Sequence, residues 1–213
     1  MHRGGITAAV LLALVVGTGL TSQVASARDP VGQVKRLQSK AVAIYHKQTR
    51  ELAPAADILF RDLLQTGRGA RLKAELVDGT AITLGENAEI LIDEFVYDPR
   101  QRQGGLNLKV IKGAFLFVGG KVEEMTDSKT RIETPVAILG IRGTTVWGGP
   151  IYGGYGVLVL DGEVKVQSPG GAVTLHKGQA TMIYDPEEGP EPPRPWSKFK
   201  TSVAVKTISF ETD

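Results

Sequence analysis

Arg142 is the residue best placed to do chemistry. It sits in the run ETPVAILGIRGT over 133–144, flanked by Gly140 and Gly143. A guanidinium on such flexible backbone can grip an anion bidentately. It can equally hydrogen-bond carbonyls and pin a strand crossing. A second candidate is the glycine-aromatic segment GGPIYGGYG over 148–156. Tyr152 and Tyr155 there could form a stacking platform for a sugar or peptide, or cap a hairpin-like connection. The segment leads into a strand rather than a helix, which argues against dinucleotide binding.

Other reactive constellations are missing. The three histidines are His2, His46 and His176, and the last two have no ligand-spaced partner, so no metal site is expected. There is no Gly-x-Ser-x-Gly elbow, and Gly120-Lys121 lacks P-loop spacing. The chain has 0 cysteines, hence no disulfide, thiol nucleophile or lipid-anchoring thiol. The acidic pairs Glu123-Glu124 and Glu187-Glu188 read as solvated. A glycosidase needs two carboxylates at a defined separation, and nothing selects such a pair. No catalytic residue and no cofactor is therefore expected.

Short strands must position these residues. Leu72, Ala74 and Leu76 alternate with Lys73 and Glu75, and Ile82 and Leu84 follow Asp78-Gly79. A two-residue loop would pair Glu75 with Ile82 and mix the faces. A three-residue loop of Val77, Asp78 and Gly79 pairs Ala74 with Ile82 and Leu72 with Leu84, and predicts a left-handed Gly79. A third strand over Ala88 to Asp93 puts Ile90 and Ile92 on one face. Asp161-Gly162 suggests a second hairpin, pairing Val159 with Val164 and Val157 with Val166. Pro169-Gly170-Gly171 and Lys177-Gly178 punctuate further turns. Leu106 to Ile111 and Ala114 to Val118 read as a hairpin about Lys112-Gly113, after a polar loop over 98–105. Val31 to Arg36 and Ala41 to His46 fit two short strands or one helix. The fold class is all-β: a single domain of many short strands, as a sandwich or a solenoid-like stack.

The two ends differ from this domain. Arg3, the apolar run Ile6 to Leu20 and the small residues Ala25-Ser26-Ala27 predict a signal peptide over 1–27, cut between Ala27 and Arg28. Thr18, Thr21, Ser22 and Gln23 interrupt the run before spanning length, so no membrane span is expected after cleavage. The remainder carries 24 basic and 23 acidic side chains, since residues 1–27 contribute only Arg3. Such balance argues against nucleic-acid binding. The domain is expected over 28–185. A Pro-rich linker over 186–195 holds five of the 11 prolines. The tail over 196–213 alternates at Val203, Val205, Thr207 and Ser209, so it is expected either to dock as an edge strand or to stay free.

An ordered set of motifs resembles the FecR-type domain: Thr66-Gly67, Asp78-Gly79-Thr80, Leu84-Gly85, Thr134-Pro135, and Gly140 to Thr144 with Arg142 and Gly143. The resemblance extends from about Val31 to about Tyr184. It implies an all-β extracytoplasmic module and tips 31–46 towards strands. In the best-known members that module belongs to a membrane-spanning sigma-factor regulator. Its outer part receives a signal from a siderophore transporter, and a cytoplasmic arm contacts the sigma factor. Here no cytoplasmic arm precedes the apolar segment, so the expected form is an exported stand-alone member. The signature residues read as structural. The expected function is non-enzymatic protein–protein recognition in the periplasm, with an envelope protein as partner. The alternatives are a glycan or cell-wall polymer module using Tyr152 and Tyr155, and a hydrolase with dispersed carboxylates.

Overall fold

The structure is a computed structural model that describes residues 28–126 and 128–211. The predicted signal peptide, with Ala25 and Ala27, lies outside the described residues. The chain begins with β1 (Pro30–Gln38), β2 (Ala41–Tyr45), β3 (Gln48–Glu51), β4 (Asp57–Leu59), β5 (Leu63–Thr66), β6 (Arg71–Leu76) and β7 (Ala81–Leu84). Next come β8 (Glu89–Asp98), β9 (Gln103–Lys112), β10 (Phe115–Val118), a turn of 3-10 helix (Lys121–Glu124) and β11 (Lys129–Glu133). Two long strands, β12 (Ile138–Ile151) and β13 (Gly154–Ser168), lead to β14 (Gly171–His176), β15 (Gln179–Ile183), β16 (Arg194–Pro195) and the helix α1 (Lys198–Lys206).

These strands form one hydrogen-bonded sheet that is folded on itself. The first half of β12 pairs with β11, and through it with β9, β8, β5, β2 and β3. The second half pairs with β10, and onward with β7, β6, β1 and β4. β12 and β13 thus belong to both leaves, and they bend between them. Ile90, Leu108, Ile132, Leu139 and Val164 of one leaf share a core with Leu72, Ile82, Phe117, Val146 and Val157 of the other. Each such side chain contributes roughly 1.5–3 kcal/mol on leaving water. The result is an all-β domain made of one curled sheet whose two leaves enclose a shared core.

The β6–β7 hairpin has the three-residue loop: Leu72 pairs with Leu84 and Ala74 with Ile82, and Gly79 is left-handed at φ 89°. Residues 31–46 are strands, and Ile90 and Ile92 are both buried in β8. Three other expectations need correction, because each concerns a pairing partner that alternation cannot specify. Asp161-Gly162 is not a hairpin turn but a point inside β13, where Val159 pairs with Val146 and Val164 with Ile141. Residues 98–105 are not all loop, since β8 and β9 form a long hairpin turning at 99–102. β9 and β10 do not pair with each other; Gly113, at φ 85°, carries the chain from one leaf to the other. Lys177-Gly178 is a turn as expected, and it passes β14 on to β15, which run in one direction along successive stretches of β13.

The tail is neither an edge strand nor free. It forms α1, whose N-terminus is capped by the Ser197 side chain accepting from the Lys200 N–H. Ala204 and Ile208 pack with Trp147, Leu158 and Met182 on the outer side of the second leaf. The Trp147 indole N–H donates to Thr207 Oγ1 at 3.1 Å. The Pro-rich run over 186–195 is extended but also held. The Glu191 N–H donates to the Met182 carbonyl, and the Glu191 carbonyl accepts from the Thr181 hydroxyl. Prolines cannot propagate a ladder, so this run covers the outer edge of β15 and ends the sheet there.

Candidate functional site

The motif residues gather at the bend between the leaves. Gly143 (φ 58°) and Gly162 (φ 81°) face each other across β12 and β13, where the register shifts. A Cβ on Gly162 would overlap the Gly143 carbonyl, so the two backbones approach closely only as glycines. The Thr144 hydroxyl lies 2.8 Å from the Arg142 carbonyl and 3.0 Å from the Glu163 carbonyl, bridging the bulge. Beside it, Asp78 is fully buried. Its carboxylate accepts from the Thr80 N–H (3.0 Å), the Thr80 hydroxyl (2.7 Å) and the Val122 N–H (3.2 Å). Asp78 therefore ties the β6–β7 loop to the 3-10 turn.

Glu123 completes the cluster. Its Oε2 accepts from the Thr144 N–H at 3.1 Å, while Oε1 is buried without a hydrogen-bond partner. Burial pushes its carboxyl up to about 7; backbone N–H groups of Thr144 and Gly143 oppose the shift, and the Asp78 charge adds to it. The sequence reading took Glu123 as solvated. The overlooked signal was the preceding Gly119-Gly120: a Cβ on Gly119 would overlap the Glu123 carboxylate, and one on Gly120 would overlap Thr80.

The remaining motif residues fix turns elsewhere. Thr66 Oγ1 donates to the Gly85 carbonyl (2.7 Å) and accepts from the Ala88 N–H (2.9 Å), and the Gly67 N–H donates to the Lys40 carbonyl. Thr134 Oγ1 caps the turn after Pro135 by accepting from the Ala137 N–H at 3.0 Å. Arg142 points to solvent, and no described carboxylate lies within 4.0 Å of it.

Tyr152 and Tyr155 do not form a platform. Tyr152 is 55% exposed on the two-residue turn joining β12 to β13, whereas Tyr155 is 7% exposed in the shared core, where burial raises its hydroxyl's pKa. Strand alternation explains the separation only once β13 is seen to start at Gly154. The glycines of this segment serve packing: Cβ atoms on Gly154 and Gly156 would meet the rings of Tyr184 and Trp196. Arg28, expected beside the cleavage point, lies 3.7 Å over the Tyr45 ring. It shares the buried Asp62 carboxylate with Arg50, each at 2.7 Å. His46 stacks edge-on with Tyr45, and His176 lies 3.3 Å from Glu163. No metal-holding cluster occurs among the described residues.

Among the described residues one sheet edge is open. β3 is four polar residues, β4 is three residues long, and β16 is an Arg-Pro pair. β14 is longer, carries no proline or lysine, and pairs only with β13. A two-residue turn makes Ser168 and Gly171 its closing pair. Hydrogen-bonded pairs then alternate, and Ala172, Thr174 and His176 turn their backbone groups outward. The His176 N–H is taken by Gln179 Oε1 at 2.9 Å, leaving Ala172 and Thr174 as the free rungs.

Residues 62–165 match the FecR protein family. A crystal structure of a candidate anti-sigma factor from Parabacteroides distasonis superimposes with a TM-score of 0.52 at 17% identity, over 67% of this chain and 63% of that one. A second crystal structure of such a protein from that organism gives 0.49 at 15% identity, over 67% and 64%. This chain thus spans under two thirds of those proteins. No curated protein matches it in sequence.

Proposed function

We propose that this chain, whose residues 62–165 match the FecR protein family, is an exported, non-enzymatic module that signals by recognising a protein partner in the bacterial envelope. The FecR family is regulatory, and the structural neighbour is a candidate anti-sigma factor; both support a signalling role. The apolar N-terminal run with its small-residue ending supports export to the periplasm. The observation that carries the mode of recognition is the open edge of β14. An extended partner segment adds there as a further strand, gaining main-chain hydrogen bonds from Ala172 and Thr174.

The test uses a tagged mature protein, cross-linked in cells. It should retrieve a defined envelope protein, and Thr174→Pro should abolish that retrieval. The Thr174 N–H faces away from β13, so proline there removes no existing rung and the fold should survive. Retrieval undiminished by Thr174→Pro, or repeated clean retrievals with no partner, would overturn the reading.

A further inference from the structure

We propose that the outer face of the first leaf binds an extended acidic segment of a partner protein, over Gly140. The inference rests on the reading of this chain as a protein-recognition module and names the chemistry of the partner.

Gly140 is a glycine that the fold does not require. Its φ is not positive, and an added Cβ would find only Lys165 atoms at 3.9 Å, an ordinary contact. Gly143, Gly120 and Gly162, by contrast, are each demanded by conformation or crowding. What Gly140 leaves is a bare strip of backbone facing solvent. Cations flank it. Arg131 on β11 and Lys165 on β13 are its two cross-strand neighbours. With strands about 4.8 Å apart, their Cα atoms stand about 10 Å from one another across the glycine. One row further along, Arg142 stands between Lys129 on the β11 side, as the register extends, and Glu163, its cross-strand neighbour on β13.

These four side chains are exposed, and none has a described carboxylate within 4.0 Å. Other cations near this face are already paired. Lys109 meets Glu133 and Asp93, and Lys112 meets Glu89. The cations without a described partner are therefore grouped around Gly140, bordered by Asp93 and Glu133 at one end and by Glu163 beside Arg142 at the other. That border disfavours a uniform polyanion such as a phosphate-rich polymer or anionic bilayer, which it would repel. It suits a peptide with acidic side chains at chosen positions.

The spacing specifies the pattern. Residues two apart on an extended chain repeat at about 6.8 Å, which is also the distance between successive outward rows of the sheet. A segment lying along β12 thus brings one carboxylate between Arg131 and Lys165 and the next between Lys129 and Arg142. In the opposite direction it reaches Ile138, which is 43% exposed, with Ala172 two strands away in the same row. The matching segment reads apolar, any, acidic, any, acidic. Arginine adds bidentate grip to each carboxylate.

The probe is the synthetic peptide Ile-Thr-Glu-Thr-Glu-Thr-Ile, apolar at both ends so that either direction fits. Titrated into the isotope-labelled mature protein, it should shift the amides of Arg131, Gly140, Arg142 and Lys165. Its affinity should fall at least tenfold in Lys165→Glu and in Arg142→Glu, and with added salt, but not in Lys177→Glu. Shifts elsewhere, equal binding by the charge-reversed variants, or tighter binding of inorganic phosphate or phosphatidylglycerol vesicles at these amides would overturn the proposal. Gly140→Leu separates binding from folding: the melting temperature should hold while the peptide is lost, and retained binding would count against the bare-strip role. If the peptide is ignored but Thr174→Pro still abolishes partner retrieval, this inference falls and strand addition stands. If the peptide binds and Thr174→Pro changes nothing, strand addition falls instead.

Discussion

Gly143 and Thr144 directly follow the stretch Gly140 to Arg142 along β12, yet the two pairs are held in different ways. Gly143 and Thr144 lie where the sheet folds over, touched by Glu123, Glu163 and Gly162. Gly140 and Arg142 lie on the outer face, where their side-chain positions meet almost nothing. A continuous sequence motif therefore mixes residues that make the fold with residues that the fold leaves free. Only the second kind can be spent on recognition without loss of stability, and substitutions at each position should separate them.

The largest effect is expected at Gly162. Alanine there must hold φ near 81° and place a methyl group into the Gly143 carbonyl. Both backbones would have to part at the point where the two leaves are joined. Gly162→Ala should cost more than about 3 kcal/mol, read as a lowered urea midpoint, and it should broaden amide signals in both leaves. A midpoint within experimental error of the wild type would show that the bend tolerates a side chain.

Asp78→Ala comes next. The side chain accepts three hydrogen bonds in a fully buried place, and removing it leaves the Val122 and Thr80 N–H groups unpaired. Each orphaned buried group costs about 1–3 kcal/mol, so a loss of about 2–4 kcal/mol is expected. The 3-10 turn should exchange its amides sooner than β12 does. Equal protection of the two would mean that Asp78 does not tether the turn.

Glu123 gives the same region a pH dependence. Its carboxyl ionises near 7 in the folded protein against an ordinary 4.5, so the folded state keeps a proton that the unfolded chain has lost. Stability from this group is therefore full below about pH 4.5, falls as pH rises through about 7, and is flat above that. Partial exposure reduces the size of the fall below what the shift alone implies. Glu123→Gln should flatten the stability profile between pH 5 and 8. A profile that keeps its slope in this variant would assign the effect to another group.

How much of this was legible in the sequence follows from the range of the interactions involved. The β6–β7 hairpin was readable down to its register, because Asp78-Gly79 and the alternating Leu72, Ala74, Ile82 and Leu84 are neighbours in the chain. Asp161-Gly162 carries the same dipeptide between equally good alternating flanks, yet it is a bend within a strand and not a reversal, since β12 from one side and β14 and β15 from the other carry β13 on through it. Local turn chemistry could not register those distant partners. The same limit hid Glu123, whose environment comes from Thr144 and Asp78, and it misplaced Tyr155, whose face depends on where β13 begins. Arg142 has two readings in the sequence, a grip on an anion or a pin on carbonyls, and its lack of a described carboxylate partner is visible only in three dimensions.

Substitutions on the outer face should have the smallest effect on stability, and that smallness is what makes the contrast with the bend informative. Arg142→Ala removes an exposed side chain that touches no described carboxylate, so the change should stay within about 0.5 kcal/mol. Gly140→Ala adds a methyl group to open space on an extended strand. Relative to glycine it restricts the unfolded chain, which favours the folded state by roughly 0.5–1 kcal/mol. A melting temperature equal to or slightly above the wild type is expected for Gly140→Ala, beside a large fall for Gly162→Ala. Both are glycine-to-alanine changes on adjacent strands of one ladder, so composition and propensity cancel between them. If Gly140→Ala proves as damaging as Gly162→Ala, the outer strip is part of the folding machinery after all, and the distinction between the two halves of the motif is lost.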